Sequence, residues 1–391
     1  MIIKTIISTL ALCLPLLTQA ADPVGTGPLR GTGDLGIAVE RARGSLQWLD
    51  TSKLSSLGRI EGLGDLSHAS AVFSLDARYA YVFGRDGGLT KVDLLTGTIA
   101  NRIIQSGNSI GGAISQDGRF IAAANYTPGG VKVFDAGTLD LVADIPTESK
   151  VIGLEDIPGN RFGFSLWDKG EIWIADLSED PKHPKLTKFS NIGTQPYDAL
   201  ISPDGRWYVA GLYGENGIGV LDTWNMEAGV KRALPDYGRG EEKLPVYKMP
   251  HLETWAMVGN LAFIPGVGRH EVVIVDVATW KQVGVIPVAG QPVFVMAQPD
   301  GRRLWVNFAF PHYDTVQVID VPTRKIVHEM KPGKAVLHME FTSRGEHVWL
   351  SVRDANRLEV YDTSSFKKLA ELPAEAPSGI FFTSRAHRFG L

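Results

Sequence analysis

Residues 84–94 read GRDGGLTKVDL, and the short β-rich run that ends at Asp93 decides the fold because it recurs. Runs of the same kind end at Asp50 (SLQWLD), Asp135 (VKVFD), Asp176 (EIWIAD), Asp222 (IGVLD), Asp276 (VVIVD), Asp320 (VQVID) and Asp362 (LEVYD). Successive aspartates lie 41 to 54 residues apart. Periods of about 40 to 45 residues, each holding several short strands, are the signature of propeller blades. Upstream of most of these aspartates stands another apolar strand, closed by a turn such as Asp117-Gly118-Arg119, Asp204-Gly205-Arg206 or Asp300-Gly301-Arg302. Each unit therefore reads as four antiparallel strands, with the Asp-Gly turn joining the first two. Aspartates in this pattern serve turns and strand ends, not catalysis. Eight of them predict an all-β, eight-bladed β-propeller.

Ring closure is visible at the two ends of the repeat. The first blade has strands near Gly36 to Glu40, Ser45 to Leu49 and Leu57 to Gly62, but no Asp-Gly-Arg unit before them. The C-terminus supplies an extra piece, Ser378 to Phe382, which is expected to add to the first blade and so leave no open sheet edge. Residues 224–248, rich in Gly, Glu and Lys, read as an inserted surface loop.

Ahead of the repeat, Lys4, an apolar run from Ile6 to Leu17 and the small-residue site Thr18-Gln19-Ala20 read as a secretory signal peptide over residues 1–20. Residues 21–32 then form a linker and 33–391 the propeller, with export to a bacterial periplasm expected. Leu10-Ala11-Leu12-Cys13 loosely resembles a lipobox, but Leu12 is large for the residue before a lipidated Cys; membrane contact follows only if Cys13 is lipidated. Cys13 is the single Cys of the chain, which excludes a disulfide framework, a Cys-rich zinc site, an iron–sulfur cluster and a c-type haem of C-x-x-C-H form. A net charge of −4 gives no footprint for nucleic acid. No phosphate loop, dinucleotide fingerprint, zincin motif or nucleophile elbow occurs. Neither a flavin nor a nicotinamide site is expected.

In a propeller, the loops before each innermost strand and the loops between second and third strands share one face around the central channel. The former carry His68, Tyr197, His251 and His338; the latter carry Arg41, Arg43, Arg85, Asn125, Tyr126, Trp167, Tyr213, Tyr313 and Arg353. Imidazoles, aromatic faces and arginines together suit a large, flat, polycarboxylated aromatic ligand, with Arg for carboxylates and His for a metal. One residue breaks the repeat. Three positions before the Asp-Gly turn stand Phe73, Ile114, Ile201, Ala297 and Phe341, whereas in the unit with Gly159-Asn160-Arg161, read as the third blade, the residue is Asp156, beside Glu155. A carboxylate there either faces the channel or is buried with a raised pKa, or else the segment is shifted and Asp156 lies in solvent.

Residues 84–94, 123–141 (AANYTPGGVKVFDAGTLDL) and 156–177 (DIPGNRFGFSLWDKGEIWIADL) resemble the haem d1-binding domain of cd1-type nitrite reductases, and the resemblance runs over residues 33–391. The c-type haem domain of those reductases has no counterpart here, so the resemblance is to the branch of the family devoted to haem d1 biosynthesis. It implies a haem d1 or dihydro-haem d1 ligand, as substrate or product, and dehydrogenation of a propionate of dihydro-haem d1 to an acrylate. It also implies two catalytic residues: His68 as haem iron ligand, since the segment Gly64 to Arg85 resembles the one holding the proximal histidine, and Asp156 as an essential aspartate, the base that removes a proton beside a carboxylate during desaturation. Val295 and Met296 stand where a distal histidine is expected, which leaves His251 as the surviving one. Arg41, Arg43 and Arg85 would anchor carboxylates, while Tyr126, Tyr197 or Trp167 flank the ring. The alternative is a non-catalytic carrier that hands haem d1 to cd1 nitrite reductase; that enzyme and other proteins of the pathway are the implied partners.

Overall fold

A computed structural model describes residues 31–238, 255–266 and 269–388; the leader, most of the linker, His251 and the last three residues lie outside the described residues. Eight four-stranded antiparallel sheets make up the fold. The second blade shows the plan: Ser70–Phe73 innermost, then Tyr79–Phe83, Gly88–Asp93 and, outermost, Thr98–Ile104. Side chains alternate along the second strand, so Ala80 and Val82 pack toward the first blade while Tyr81 and Phe83 pack toward the third. The same division repeats round the ring. Eight apolar clusters result, each between two neighbouring blades, and blade-on-blade packing constitutes the core.

All eight repeat aspartates end the third strand of a blade and cap the turn beyond it. Asp93 accepts the Leu95 N–H at 2.9 Å, Asp276 the Thr279 N–H at 2.8 Å, and Asp362 the Ser365 N–H at 2.7 Å. In two blades the arginine of the turn reaches the repeat aspartate, Arg78 to Asp93 at 2.8 Å and Arg206 to Asp222 at 2.7 Å, whereas Arg119 pairs with Asp117 of its own turn at 2.6 Å. These residues are the punctuation of the repeat, as their periodicity implies.

The C-terminal strand Pro377–Phe382 pairs antiparallel with Leu35–Glu40 and becomes the innermost strand of the first blade. Thr383 donates to the carbonyls of Thr32 (2.6 Å) and Leu35 (3.0 Å), and the Arg385 Nε donates to buried Glu340 at 3.0 Å. Three expectations shift. The outermost strand of the first blade runs Ser55–Ile60, two residues earlier than the apolar pattern suggests, because its register breaks opposite Trp48 and Leu49, beside the positive-φ Gly58. Within the segment read as an inserted loop, Met226–Ala228 is a 3-10 turn and Val230–Ala233 is the outermost strand of the fifth blade, paired with Ile218–Asp222; composition hid a strand that Val230 anchors against the core. Asp156 belongs to the fourth blade, not the third: its turn is the third of its type, but the first blade, completed by the C-terminal strand, has no such turn.

Candidate functional site

The innermost strands do not run straight. In six of the eight blades their pairing with the second strand breaks near the start, and the extra residues bulge: Ser378-Gly379, Ile110, Gly153-Leu154, Asp198, Val293-Phe294 and Leu337. A bulge leaves ladder groups unpaired and bends the strand. Neighbouring side chains restore the lost bonds: Asn307 accepts the Phe294 N–H at 2.8 Å and donates to the Val336 carbonyl at 2.7 Å, and the buried Tyr208 phenol donates to the Gly153 carbonyl at 2.6 Å. Gly153 has φ +59, and a side chain on it would meet the backbone of residues 198–199 at 2.6 Å; only glycine lets the fourth and fifth blades close up here.

Every one of these bulged residues lines a cavity of about 680 Å³ at the channel mouth. That size falls within the range of cofactor and ligand sites, and the walls are mostly apolar with a few polar groups, as such sites are. His68 lines it from the loop before Ser70–Phe73. His338 lines it from the eighth blade, held between Phe294 (5.2 Å, edge-on) and Phe381 (5.7 Å). The Ile380 N–H donates to His338 Nδ1 at 3.3 Å, so a neutral His338 ring carries its proton on Nε2 and presents a donor there. Phe310 and Tyr313, 5.6 Å apart, add an aromatic wall from the seventh blade, and Phe310 is 59% exposed. On the fifth blade, Tyr197 meets Trp167 of the fourth at 5.6 Å and Tyr213 at 6.1 Å.

Charge in the cavity is divided. Arg41 of the first blade and Arg353 of the eighth both line it. Burial lowers the Arg41 pKa, the Arg353 charge lowers it further, and Asp65 opposes both. Two neighbouring guanidiniums in a partly dry pocket, with Arg353 bound on one side to Asp354 at 2.7 Å, form a receptor for carboxylate. Asp198 lines the cavity from the fifth blade, across the ring from the first. Burial pushes the Tyr126 phenol up to about 12, the Asp198 charge adds to that, and Arg85 opposes it; Tyr197 is raised by the same causes.

Of the residues read from the sequence, the structure brings His68, Arg41, Tyr197, Tyr313, His338 and Arg353 into the cavity, and Trp167 against Tyr197. Others it places elsewhere. Arg43 turns outward into ion pairs with Glu61 (2.9 Å) and Glu375 (2.8 Å), so it anchors no ligand. Asn125 is buried in a reciprocal amide pair with Gln105, at 2.8 and 3.0 Å, which uses both ends of its side chain. Arg85 and Tyr126 are not among the lining residues. Asp156 is 7% exposed and keeps its register opposite Phe162, so it is not in solvent; it lies two residues beyond Leu154, the last lining residue of its strand, and does not line the cavity. Asp198 and Asp354 are the charged lining residues that the sequence reading did not name. Among the described residues no three His, Cys, Asp or Glu could together hold a metal ion, so a metal here would come with its own ligands.

A ring of eight blades with bulged inner strands, two histidines on the cavity wall and a cationic pole at the channel mouth defines the class, and the chain belongs to the cytochrome d1 haem domain family, whose pattern it matches over residues 30–386. A protein named Protein NirF from Pseudomonas aeruginosa is 60% identical over 96% of this chain and 98% of its own length. From the same organism, a dihydro-heme d1 dehydrogenase is 28% identical over 88% of this chain and 70% of its own length. A solved structure of the dihydro-heme d1 dehydrogenase NirN in complex with DHE superposes with a TM-score of 0.80 at 25% identity, covering 92% of this chain and 78% of that one.

Proposed function

We propose that the protein binds an iron tetrapyrrole of the dihydro-haem d1 class at its channel mouth and acts in the formation of haem d1. The cavity carries the proposal: about 680 Å³, apolar bulged walls, aromatic faces on two sides, His68 at the rim and the Arg41–Arg353 pair for carboxylates. The ligand would bring the iron, which His68 would hold, while His338 would offer a hydrogen-bond donor and Arg41 and Arg353 would hold carboxylates.

Within this reading the reaction is desaturation of a propionate to an acrylate. Two protons and two electrons leave the substrate, and the electrons pass to an external one-electron acceptor in two equivalents. Asp156 acts from beneath the cavity floor as a positioning residue, because its strand carries Gly153 and Leu154. A leader over residues 1–20 would place this chemistry in the periplasm.

One observation favours a second reading. Pseudomonas aeruginosa holds both the 60%-identical relative and the 28%-identical protein named as the dehydrogenase, so one organism keeps two such propellers. A division of labour makes this chain the carrier that delivers the tetrapyrrole to cd1 nitrite reductase. Mass spectrometry of dihydro-haem d1 incubated with the protein and ferricyanide separates the two. Loss of two hydrogens supports the dehydrogenase. An unchanged mass with transfer to apo-reductase supports the carrier, and failure to bind at all overturns both. Under the dehydrogenase reading, Asp156→Asn slows conversion while affinity holds; equal conversion removes Asp156 from the mechanism.

A further inference from the structure

We propose that Ser70 and Gly111 seat one edge of the tetrapyrrole where the second and third blades meet. Gly111 leaves room for the ring against its strand, and the Ser70 hydroxyl donates a hydrogen bond to an acceptor oxygen on that edge. This contact rests on the tetrapyrrole reading above and deepens it.

Gly111 supplies the first observation. Four glycines line the cavity, and the fold accounts for three of them. Gly153 has φ +59. A Cβ on Gly112 would collide with the Ala122 carbonyl oxygen and the Phe83 ring, and one on Gly379 would come within 2.6 Å of the Phe381 ring. Gly111 has no such reason. Its φ is not positive, and it keeps its place in the ladder opposite Ala124. Beyond its chain neighbours, a Cβ there would meet one atom within 4 Å among the described residues, the Ser70 Oγ at 3.2 Å. Glycine inside a strand weakens it, and where no turn or packing demands it, it marks a place where a ligand approaches the backbone closely. Gly111 is partly exposed on an innermost strand, and the cavity is what it faces.

Ser70 supplies the second. Its strand, Ser70–Phe73, pairs without a bulge, so side chains alternate along it. Ser70 therefore faces the third blade on the same side as Val72, which packs with Ile121 and Phe134 of that blade. Ser70 is 9% exposed and lines the cavity two residues after His68, yet its Oγ has no hydrogen-bond partner among the described residues. Buried hydroxyls are nearly always bonded, and leaving one without a partner is costly. Ser109, a fully buried serine of the third blade, shows the usual outcome by donating to the Ala124 carbonyl at 2.8 Å. A serine hydroxyl turns among staggered positions at little cost, so it can meet an oxygen carried in over Gly111. Arg41 and Arg353 stand on the first and eighth blades. A further bond at the second and third blades selects which edge of the ring lies where.

The test is an absorption titration with dihydro-haem d1 of wild type, Ser70→Ala, Gly111→Val and the double variant Ser70→Ala with Gly111→Ala, beside the melting temperature of each apo protein. Ser70→Ala is expected to weaken binding roughly 2- to 10-fold. It should not melt lower, because its hydroxyl has no partner to lose. Gly111→Val should weaken binding roughly 10-fold or more, since its side chain takes the room of the ring. Wild-type affinity in either variant overturns the inference, and so does an apo Ser70→Ala that melts lower. Should Gly111→Val melt lower, the double variant, in which the Ser70 oxygen no longer crowds the added methyl, must bind more weakly than Ser70→Ala alone; equal binding overturns the inference. Infrared spectra of the bound ligand identify the acceptor. A ring-carbonyl stretch that moves between wild type and Ser70→Ala assigns it to a carbonyl, moving carboxylate bands assign it to a carboxylate, and no movement overturns the hydrogen bond. Lack of saturable binding by the wild type overturns the tetrapyrrole reading itself, which keeps the two failures distinct.

Discussion

Arg41 and Arg43 stand two positions apart in one loop, and their fates show what a single residue decides. Arg43 spends its charge on Glu61 and Glu375, whereas Arg41 stays on the cavity wall beside Arg353. A charge-assisted hydrogen bond contributes about 1.5–3 kcal/mol. Arg41→Ala is therefore expected to weaken tetrapyrrole affinity roughly 10- to 100-fold, and Arg43→Ala to leave it unchanged; titration of both variants checks this. The sequence identified the loop but not which arginine serves the site, because Glu375 lies 332 residues from Arg43 and meets it only through ring closure. Asp198 escaped for a different reason. Counting back a fixed three residues from each turn finds Asp156 but cannot see a bulge, and the bulge is what aims Asp198 into the cavity.

At the scale of elements, the seam between first and eighth blades concentrates the stabilising interactions. Ile380, Phe381 and Phe382 of the closing strand are buried, and Arg385 pairs with Glu340 where both are shielded. Phe382→Ala should cost about 3–5 kcal/mol, and Arg385→Ala a comparable amount because it strands a buried carboxylate. Denaturant unfolding measures both. Removing residues 375–391 should lower the melting temperature of the entire ring. Glu40 adds a pH dependence at the same seam. Burial by itself raises its carboxyl, but hydrogen bonds from Arg59, the Glu375 N–H, Ser45 and Gln47 outweigh this and leave it below its ordinary 4.5. A carboxylate lowered by folding contributes stability above its unfolded value and loses it as pH falls through the folded one. Glu40→Gln should thus be less stable than wild type at neutral pH, with the gap closing below about pH 4.5; thermal melts across that range decide it. Closure was legible in the sequence, since the leftover strand at Ser378 to Phe382 fits only the incomplete first blade. The strand Val230–Ala233 was not, because Lys231 and Arg232 give it the composition of a loop.

For the molecule as a whole, eight blades of one pattern build a ring whose channel mouth departs from that pattern both in its bulges and in its chemistry. Periodicity made the ring readable: turns, capping aspartates and alternating strands repeat, and a repeat is visible in one dimension. The site is made of departures from that repeat in residues brought together from seven blades, so only their types, not their meeting, could be read beforehand. A tetrapyrrole seated there touches most of the ring at once, and ligand in excess should raise the melting temperature by an amount that grows with the logarithm of its concentration over Kd. The most direct measurement is the absorption titration of the purified protein with dihydro-haem d1, wild type beside His68→Ala. A saturable one-to-one change in the wild type, with a different iron spectrum for the His68→Ala complex, is the expected result. No saturable change, or the same spectrum from both proteins, would contradict a channel-mouth tetrapyrrole site with His68 on the iron.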